Sequence, residues 1–351
     1  MTEHTIRLPR RAVLKGVAGA AGAAALGAPN ILRDQEGQVV VGTWGGDYAQ
    51  LLRKNVEEPF LIPEGWEVIQ DQAGDPERRA KMLAERRLPR GTTDVQGLNG
   101  PNMYQVYELG ITQEIDYSKI PNAEHLLPAM KEPYGVGHIY SAMVPVYNPE
   151  IIEEAPDSYA DVFDPKWGDK LGLIDIQYQY TLMAAALAAG GSVTDIEKGQ
   201  ELLMKVREAG ARIYPSNEAF AQGMKAGEIG IGIMWKARTV QWQNAGIPVE
   251  SAWPSEGALA YVSGFVIPKN APNVEGAYAY LNAMLEPEAQ LNFAKDMGYN
   301  PTVTNVEVPA ELNERIGFAP EEVEQLVRPD YKYLTENDVA LKNWWDMEFK
   351  G

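Results

Sequence analysis

The chain has 351 residues, 45% of them hydrophobic and 23% charged, with 31 Lys and Arg against 49 Asp and Glu and no Cys. That length exceeds one ordinary core, so two lobes are expected, and the composition is that of a globular protein. A net charge of −18 repels phosphate backbones and anionic lipid, which argues against nucleic-acid binding, while the lack of Cys excludes thiol catalysis, thiolate metal sites, disulfides and a lipid anchor.

Residues 1–36 read as a leader and linker. Arg10-Arg11-Ala12-Val13-Leu14-Lys15 matches the twin-arginine pattern, and the Gly/Ala-rich stretch Gly16 to Ala28 is weakly hydrophobic and too short to span a bilayer. Low hydrophobicity and this spacing favour twin-arginine export over a general secretory leader with a basic start, with cleavage between Ala23 and Ala28. Removing residues 1–28 takes away four basic residues and Glu3, leaving 27 basic against 48 acidic, a charge of −21. Both routes lead out of the cytoplasm, most simply to a periplasm, where a chain without an acylatable Cys has no stable membrane insertion.

Gln38 to Gly42 is a β-branched strand ending at Thr43-Trp44-Gly45-Gly46-Asp47-Tyr48, and a helix is expected from Tyr48 to Pro59. Strand, Gly-Gly turn and helix N-terminus in that order let backbone N–H groups approach an anion, although Gly45-Gly46 also suits a plain tight turn. Trp66 to Gln70 reads as a strand and Pro76 to Arg86 as a surface helix. Asp94 to Leu98 is a strand breaking into a polar loop, where Asn99 or Gly100 offers a contact to a ligand. His138 to Asn148 is the next strand. After Trp167 to Leu173 come Ile174 to Thr181 and an apolar helix, Leu182 to Ala189, closed by Gly190-Gly191. Thr194-Asp195-Ile196-Glu197 has the form of a capping box opening a helix that stops at Gly210, and Glu218 to Ala226 is a further helix.

Ile229 to Asn270 is the most informative stretch. Ile229 to Met234 is an apolar strand whose end carries Trp235, Lys236 and Arg238; a turn, Trp253 to Gly257, leads to a second strand, Tyr261 to Pro268. Sheet ends are where ligands bind in α/β folds. Trp235, Arg238, Tyr261 and Ser263 thus converge as candidate ligand residues. Arg238 shares a face with Trp235 only if the chain turns helical there, and its guanidinium suits two-point recognition of a carboxylate; the alternative is an ion pair with Glu250 or Glu256. Lys236 is expected in solvent. Val274 to Leu285 and Pro287 to Met297 are helices, the second closed by Gly298, and the acidic remainder is largely helical with Trp344 and Trp345 anchoring it on the second lobe.

The chemistry of catalysis is missing. The three His are His4, His125 and His138, with no HExxH pair, complete P-loop, GxSxG elbow or spaced metal ligands, so neither cofactor nor enzyme activity is expected. Tyr178 and Tyr180 leave a tyrosinate-type ferric site as a lesser alternative, beside an exported enzyme with an unrecognised site.

The run Gly232-Ile233-Met234-Trp235, then Trp253-Pro254-Ser255-Glu256-Gly257, a strand ending Ile267-Pro268, and a helix closing on Met297-Gly298-Tyr299-Asn300-Pro301-Thr302 resembles the periplasmic spermidine/putrescine-type solute-binding proteins of ABC importers, from about Gln38 to the C-terminus. The resemblance implies an α/β type II periplasmic-binding-protein fold: two lobes, each a mixed sheet flanked by helices, with a ligand cleft at a two-strand hinge. The lobes are then 37–141 plus 262–306 and 142–261 plus 307–351, with crossovers at Tyr140–Ala142 and Tyr261–Gly264. It also implies a monomer that closes on a small-molecule ligand and presents it to a membrane permease.

The same resemblance places Trp44, beside Gly45, in the pocket, puts Tyr140 near the hinge, and keeps aromatic positions as Trp44, Trp235, Tyr261 and Tyr299. Where polyamine-binding members carry carboxylates, this chain has Gln177, Tyr180 and Ser263, all neutral, and a desolvated ammonium needs a paired anion. The expected ligand is therefore a small carboxylate, such as an ω-amino acid or aromatic acid, sandwiched by Trp44, Trp235 and Tyr261. The runner-up is a polyamine or quaternary amine held by cation–π contact. Replacing Arg10 and Arg11 by Lys should abolish export of the folded protein, read by cell fractionation; normal extracytoplasmic yield would assign the general secretory route instead.

Overall fold

The longest strand, Gly135–Tyr147, is buried at every position but Tyr140. Its sequence accordingly shows no apolar–polar alternation, because a strand covered on both faces needs none. The structure, a computed structural model, describes residues 37–351; the expected leader and linker lie outside the described residues.

Antiparallel to this strand runs Leu259–Val266, paired from Leu259 with Met143 to Phe265 with Val136. Its second half also pairs with Val95–Asn99, and the sheet continues through the parallel strands Gln38–Thr43 and Glu67–Gln72. The far end of the long strand pairs instead with Ile231–Trp235, from Tyr147 with Ile231 to Met143 with Trp235. One sheet therefore threads two apolar cores. The first gathers Val39, Leu52, Val136, Phe265, Leu281 and Phe293; the second gathers Val144, Leu182, Leu203, Ile233, Leu259 and Trp345. Tyr261, on the strand between them, packs against both. Gly172–Ile174 and Arg212–Tyr214 form a separate parallel pair.

At the crossing the register slips between Ser263 and Gly264, so that Ile139 and Gly137 are paired and His138 is the extra residue of a β-bulge. The two backbones approach closely there. A Cβ on Gly264 would lie 2.2 Å from the Val136 carbonyl oxygen, so no larger residue fits without moving a strand.

Several elements depart from the sequence reading. The helix expected over Tyr48 to Pro59 is a short α-helix, Asp47–Leu52, followed by wider π-type turns over Arg53–Leu61. Pro59 accounts for this: it has no N–H to donate and its ring clashes with the carbonyl four residues back, whereas the wider turn accommodates it. The polar loop expected after Leu98 is absent. Asn99 ends the strand and caps the helix Gly100–Glu108 directly, its Oδ1 accepting from the Asn102 N–H at 3.1 Å, with Pro101 in the first turn. No capping box forms at Thr194 either. Asp195 takes the cap position of the helix Ile196–Glu208, and its carboxylate instead accepts from the Ser192 N–H. At the C-terminus, Trp345 is fully buried in the second core and donates Nε1–H to Asp175 Oδ1 at 2.7 Å.

Gly264→Ala should lower stability by about 1–3 kcal/mol through overpacking at the crossing. Urea denaturation measures it, and an unchanged midpoint would contradict the close approach.

Candidate functional site

The chain turns helical immediately after Trp235: the strand Ile231–Trp235 runs straight into the helix Lys236–Asn244, with Trp235 in the cap position. The Ala237 N–H, one of the unsatisfied donors of that first turn, is taken by Ser141 Oγ of the long strand at 3.2 Å. This junction places Trp235 and Arg238 on the same cavity. About 500 Å³ in volume, the cavity is lined by Trp44, Gly45, Asn99, Gln177, Trp235, Arg238, Tyr261, Ser263 and Tyr299 of the expected set. It is of a size for a small organic molecule.

One wall is aromatic. The Trp235 and Tyr261 rings are 4.3 Å apart and tilted by 33°, and Tyr299 stands 6.0 Å beyond Tyr261. Trp235 and Tyr261 pack on each other, leaving no gap for a solute between them, so of the three expected sandwich residues these two form a single surface, with Trp44 elsewhere on the cavity lining. Tyr180 does not line the cavity. It lies behind that surface, edge-on to Trp235 at 4.6 Å, with its hydroxyl donating to the Ala260 carbonyl at 3.3 Å. Tyr140 is also outside, facing Phe318 at 6.2 Å, because the strand alternation that turns Ile139 towards the cavity turns its neighbour away.

The polar groups are few and largely committed. Ser263 Oγ shares a hydrogen bond with the Tyr261 hydroxyl at 2.8 Å. Gln177 donates Nε2–H to Asn217 Oδ1 at 2.6 Å and leaves a buried Oε1 without a partner. Arg238 donates Nη1–H to Gln241 Oε1 at 3.1 Å and also engages the Tyr299 hydroxyl, while its buried Nε has no partner. Among the described residues it forms no ion pair. Glu250 instead accepts from the Tyr147 hydroxyl at 2.7 Å, and Glu256 accepts from the Tyr159 and Ala160 N–H groups, which removes the alternative of a saturated Arg238. Burial raises the pKa of Tyr299, and the nearby Arg238 guanidinium pulls it back down.

Lys236 is not in solvent, as expected from sequence, but half-buried, donating to the Gly317 carbonyl with its ammonium 5.0 Å from the Phe318 ring; burial lowers its pKa. The Gly45-Gly46 turn is not an open anion site. Gly46, at φ 69°, leads into a helix of six residues whose first turn carries the Asp47 carboxylate, which already complements the helix dipole. Asp47 lines the cavity, as do Asn217 and Glu218 from the start of the helix Asn217–Lys225. None of these three stood out in the sequence, since an acid or an Asn in the first turn of a helix is ordinary. The tyrosines weighed as iron ligands have separate partners, Tyr178 with Asp338 and Tyr180 with Ala260, and no cluster of metal-binding His, Asp or Glu occurs among the described residues.

A cleft floored by antiparallel crossing strands, beside two apolar cores, is the architecture of periplasmic binding proteins of the two-lobed α/β type. Residues 59–320 match the bacterial extracellular solute-binding proteins, and the chain belongs to that family. The spermidine/putrescine-binding periplasmic protein of Salmonella typhimurium is 31% identical over 214 residues, covering 57% of this chain; the chain spans 61% of the length of that relative. The gamma-aminobutyric acid-binding protein of Pseudomonas aeruginosa is 22% identical over 88% of this chain and 90% of its own. Among solved structures, an ABC transporter from Clostridium perfringens superposes with a TM-score of 0.73 at 26% identity, over 87% of this chain and 98% of the other. The Atu4243–GABA receptor shares the fold at a TM-score of 0.78 and 21% identity, over 90% and 98%.

Beneath the cavity, the Tyr48 hydroxyl bonds to Nδ1 of the bulge residue His138 at 2.9 Å, and His138 packs edge-on to Phe293 at 4.5 Å. Burial holds the imidazole neutral, with a pKa lowered to about 3. Unfolding frees it to protonate below its ordinary value of about 6.5, so the unfolded state binds more protons between pH 6.5 and 3 and stability falls as pH drops through that window. Urea titrations at stepped pH should show this loss, and His138→Gln should flatten it by up to about 1.4 kcal/mol per pH unit. Equal slopes in the two proteins would contradict a buried neutral imidazole.

Proposed function

We propose that the chain is the periplasmic receptor of an ABC importer, exported through its twin-arginine leader, which binds a small carboxylate-bearing solute of the ω-amino-acid type. The lobes 37–141 plus 262–306 and 142–261 plus 307–351 close on the solute, and the two apolar cores threaded by one sheet support that division. Family membership supports a receptor rather than an enzyme. No described helix is long and apolar enough to cross a membrane.

The observation that carries the ligand class is Arg238. A guanidinium lining a cavity, flanked by tyrosines, without an ion-pair partner among the described residues, is a waiting counter-charge for an anionic group. Asp47 and Glu218 border the same cavity and suit an ammonium at the other end of the molecule. A solute with separated opposite charges satisfies all three. The gamma-aminobutyric acid-binding relative, matched across most of both chains, supports this reading. The polyamine-binding relatives favour a second one, in which the carboxylates and the aromatic wall hold a diamine, but that leaves Arg238 facing a like charge.

Calorimetry separates the two. Charge-assisted bonds contribute roughly 1.5–3 kcal/mol, so Arg238→Met should weaken γ-aminobutyrate binding by about one to two decades. Putrescine should bind the parent poorly and the variant no worse. Tight putrescine binding to the parent, unaffected by Arg238→Met, would overturn the carboxylate reading.

A further inference from the structure

Trp44 lines the cavity from the side opposite its own backing, and that backing is an arginine with no part in the reading above. Arg78, on the helix Asp75–Glu85, is 1% exposed, and its guanidinium carbon lies 4.4 Å from the centre of the Trp44 ring. One end of the guanidinium meets a carboxylate: Nη2 pairs with Asp75, whose other oxygen accepts from Asn102 Nδ2 at 2.7 Å. The remaining donors Nε and Nη1 are buried without a hydrogen-bond partner.

A guanidinium taken out of water ordinarily directs its donors at acceptors, because each buried, unused N–H is costly. An ion pair with Asp75 alone does not require leaving two of them idle. What the chosen orientation supplies is contact with the indole face, where a cation is attracted by the ring quadrupole. Trp44 is also hemmed in on two other sides. Tyr48 stands edge-on to it at 5.1 Å and 90°, and Gly97 admits the ring so closely that a Cβ there would lie 3.3 Å from Cζ3.

We propose that Arg78, anchored by Asp75, is a positioning residue that fixes the Trp44 ring as part of the cavity wall. Its effect on affinity rests on the solute-receptor reading; its hold on the ring does not. Without the guanidinium the indole has space behind it and swings back, and the cavity loses that part of its wall.

The test uses full-length protein labelled with 6-fluorotryptophan, which keeps fluorine off Cζ3, the ring atom closest to Gly97, with the Trp44 resonance assigned by Trp44→Phe. The double variant Asp75→Asn/Arg78→Met removes both buried charges together, so neither is stranded; Arg78→Lys keeps the charge and loses the plane. In the double variant the Trp44 fluorine resonance should shift and broaden while the other tryptophans stay put, and γ-aminobutyrate affinity should fall about tenfold. Arg78→Lys should restore part of both. An unmoved, sharp Trp44 resonance in the folded double variant overturns the proposal; if that variant does not fold, an unchanged Trp44 resonance in Arg78→Lys does so. A shifted resonance in a protein that never bound γ-aminobutyrate upholds the positioning role and removes the solute assignment.

Discussion

The structure depends on the antiparallel crossing of Gly135–Tyr147 with Leu259–Val266. Because these strands pass through both apolar cores, each residue at the crossing is constrained from two directions, and Gly264 is the point where backbone meets backbone. The bulge that relieves the register there leaves His138 buried beneath Tyr48 and turns Ile139, Tyr261 and Ser263 towards one cavity. Site and fold are therefore one construction. A change that loosens the crossing also disorders the floor of that cavity.

The cavity joins a rigid apolar surface to a small number of charges. Trp235, Tyr261 and Tyr180 brace one another, so the aromatic wall needs no ligand to hold its shape. Against it stand Arg238, short of partners, and the Asp47 and Glu218 carboxylates. Such an arrangement separates shape from charge: in the proposed receptor the rings would supply apolar contact, while the ionic groups would decide which end of a molecule goes where. On the proposed reading, that division accounts for how a chain similar to polyamine-binding proteins accommodates a solute bearing a carboxylate.

Much of the fold was legible in sequence because its signals are local. The Pro287 and Gly298 boundaries of one helix, the β-branched first strand and the apolar run Ile229 to Met234, which forms the strand Ile231–Trp235, were readable without tertiary information. The turn into helix after Trp235 was left open by its residues, and it decides where Arg238 points. Misreadings came where tertiary partners overrule local preference. Tyr180 had the chemistry of a ligand residue but is spent on the Ala260 carbonyl, and Lys236 had that of a surface residue but reaches the Gly317 carbonyl. Asp47, Glu218 and Arg78 were invisible for a different reason: their significance lies in neighbours distant in sequence, Arg78 in Trp44 above all.

The central claim is that the cavity selects a solute carrying a carboxylate. Native mass spectrometry of the protein purified without denaturation, followed by fragmentation of whatever is released, tests it most directly. The account predicts a small bound molecule with a carboxylate, and with an amine at a distance from it. Recovery of a diamine or polyamine lacking any carboxylate would contradict it.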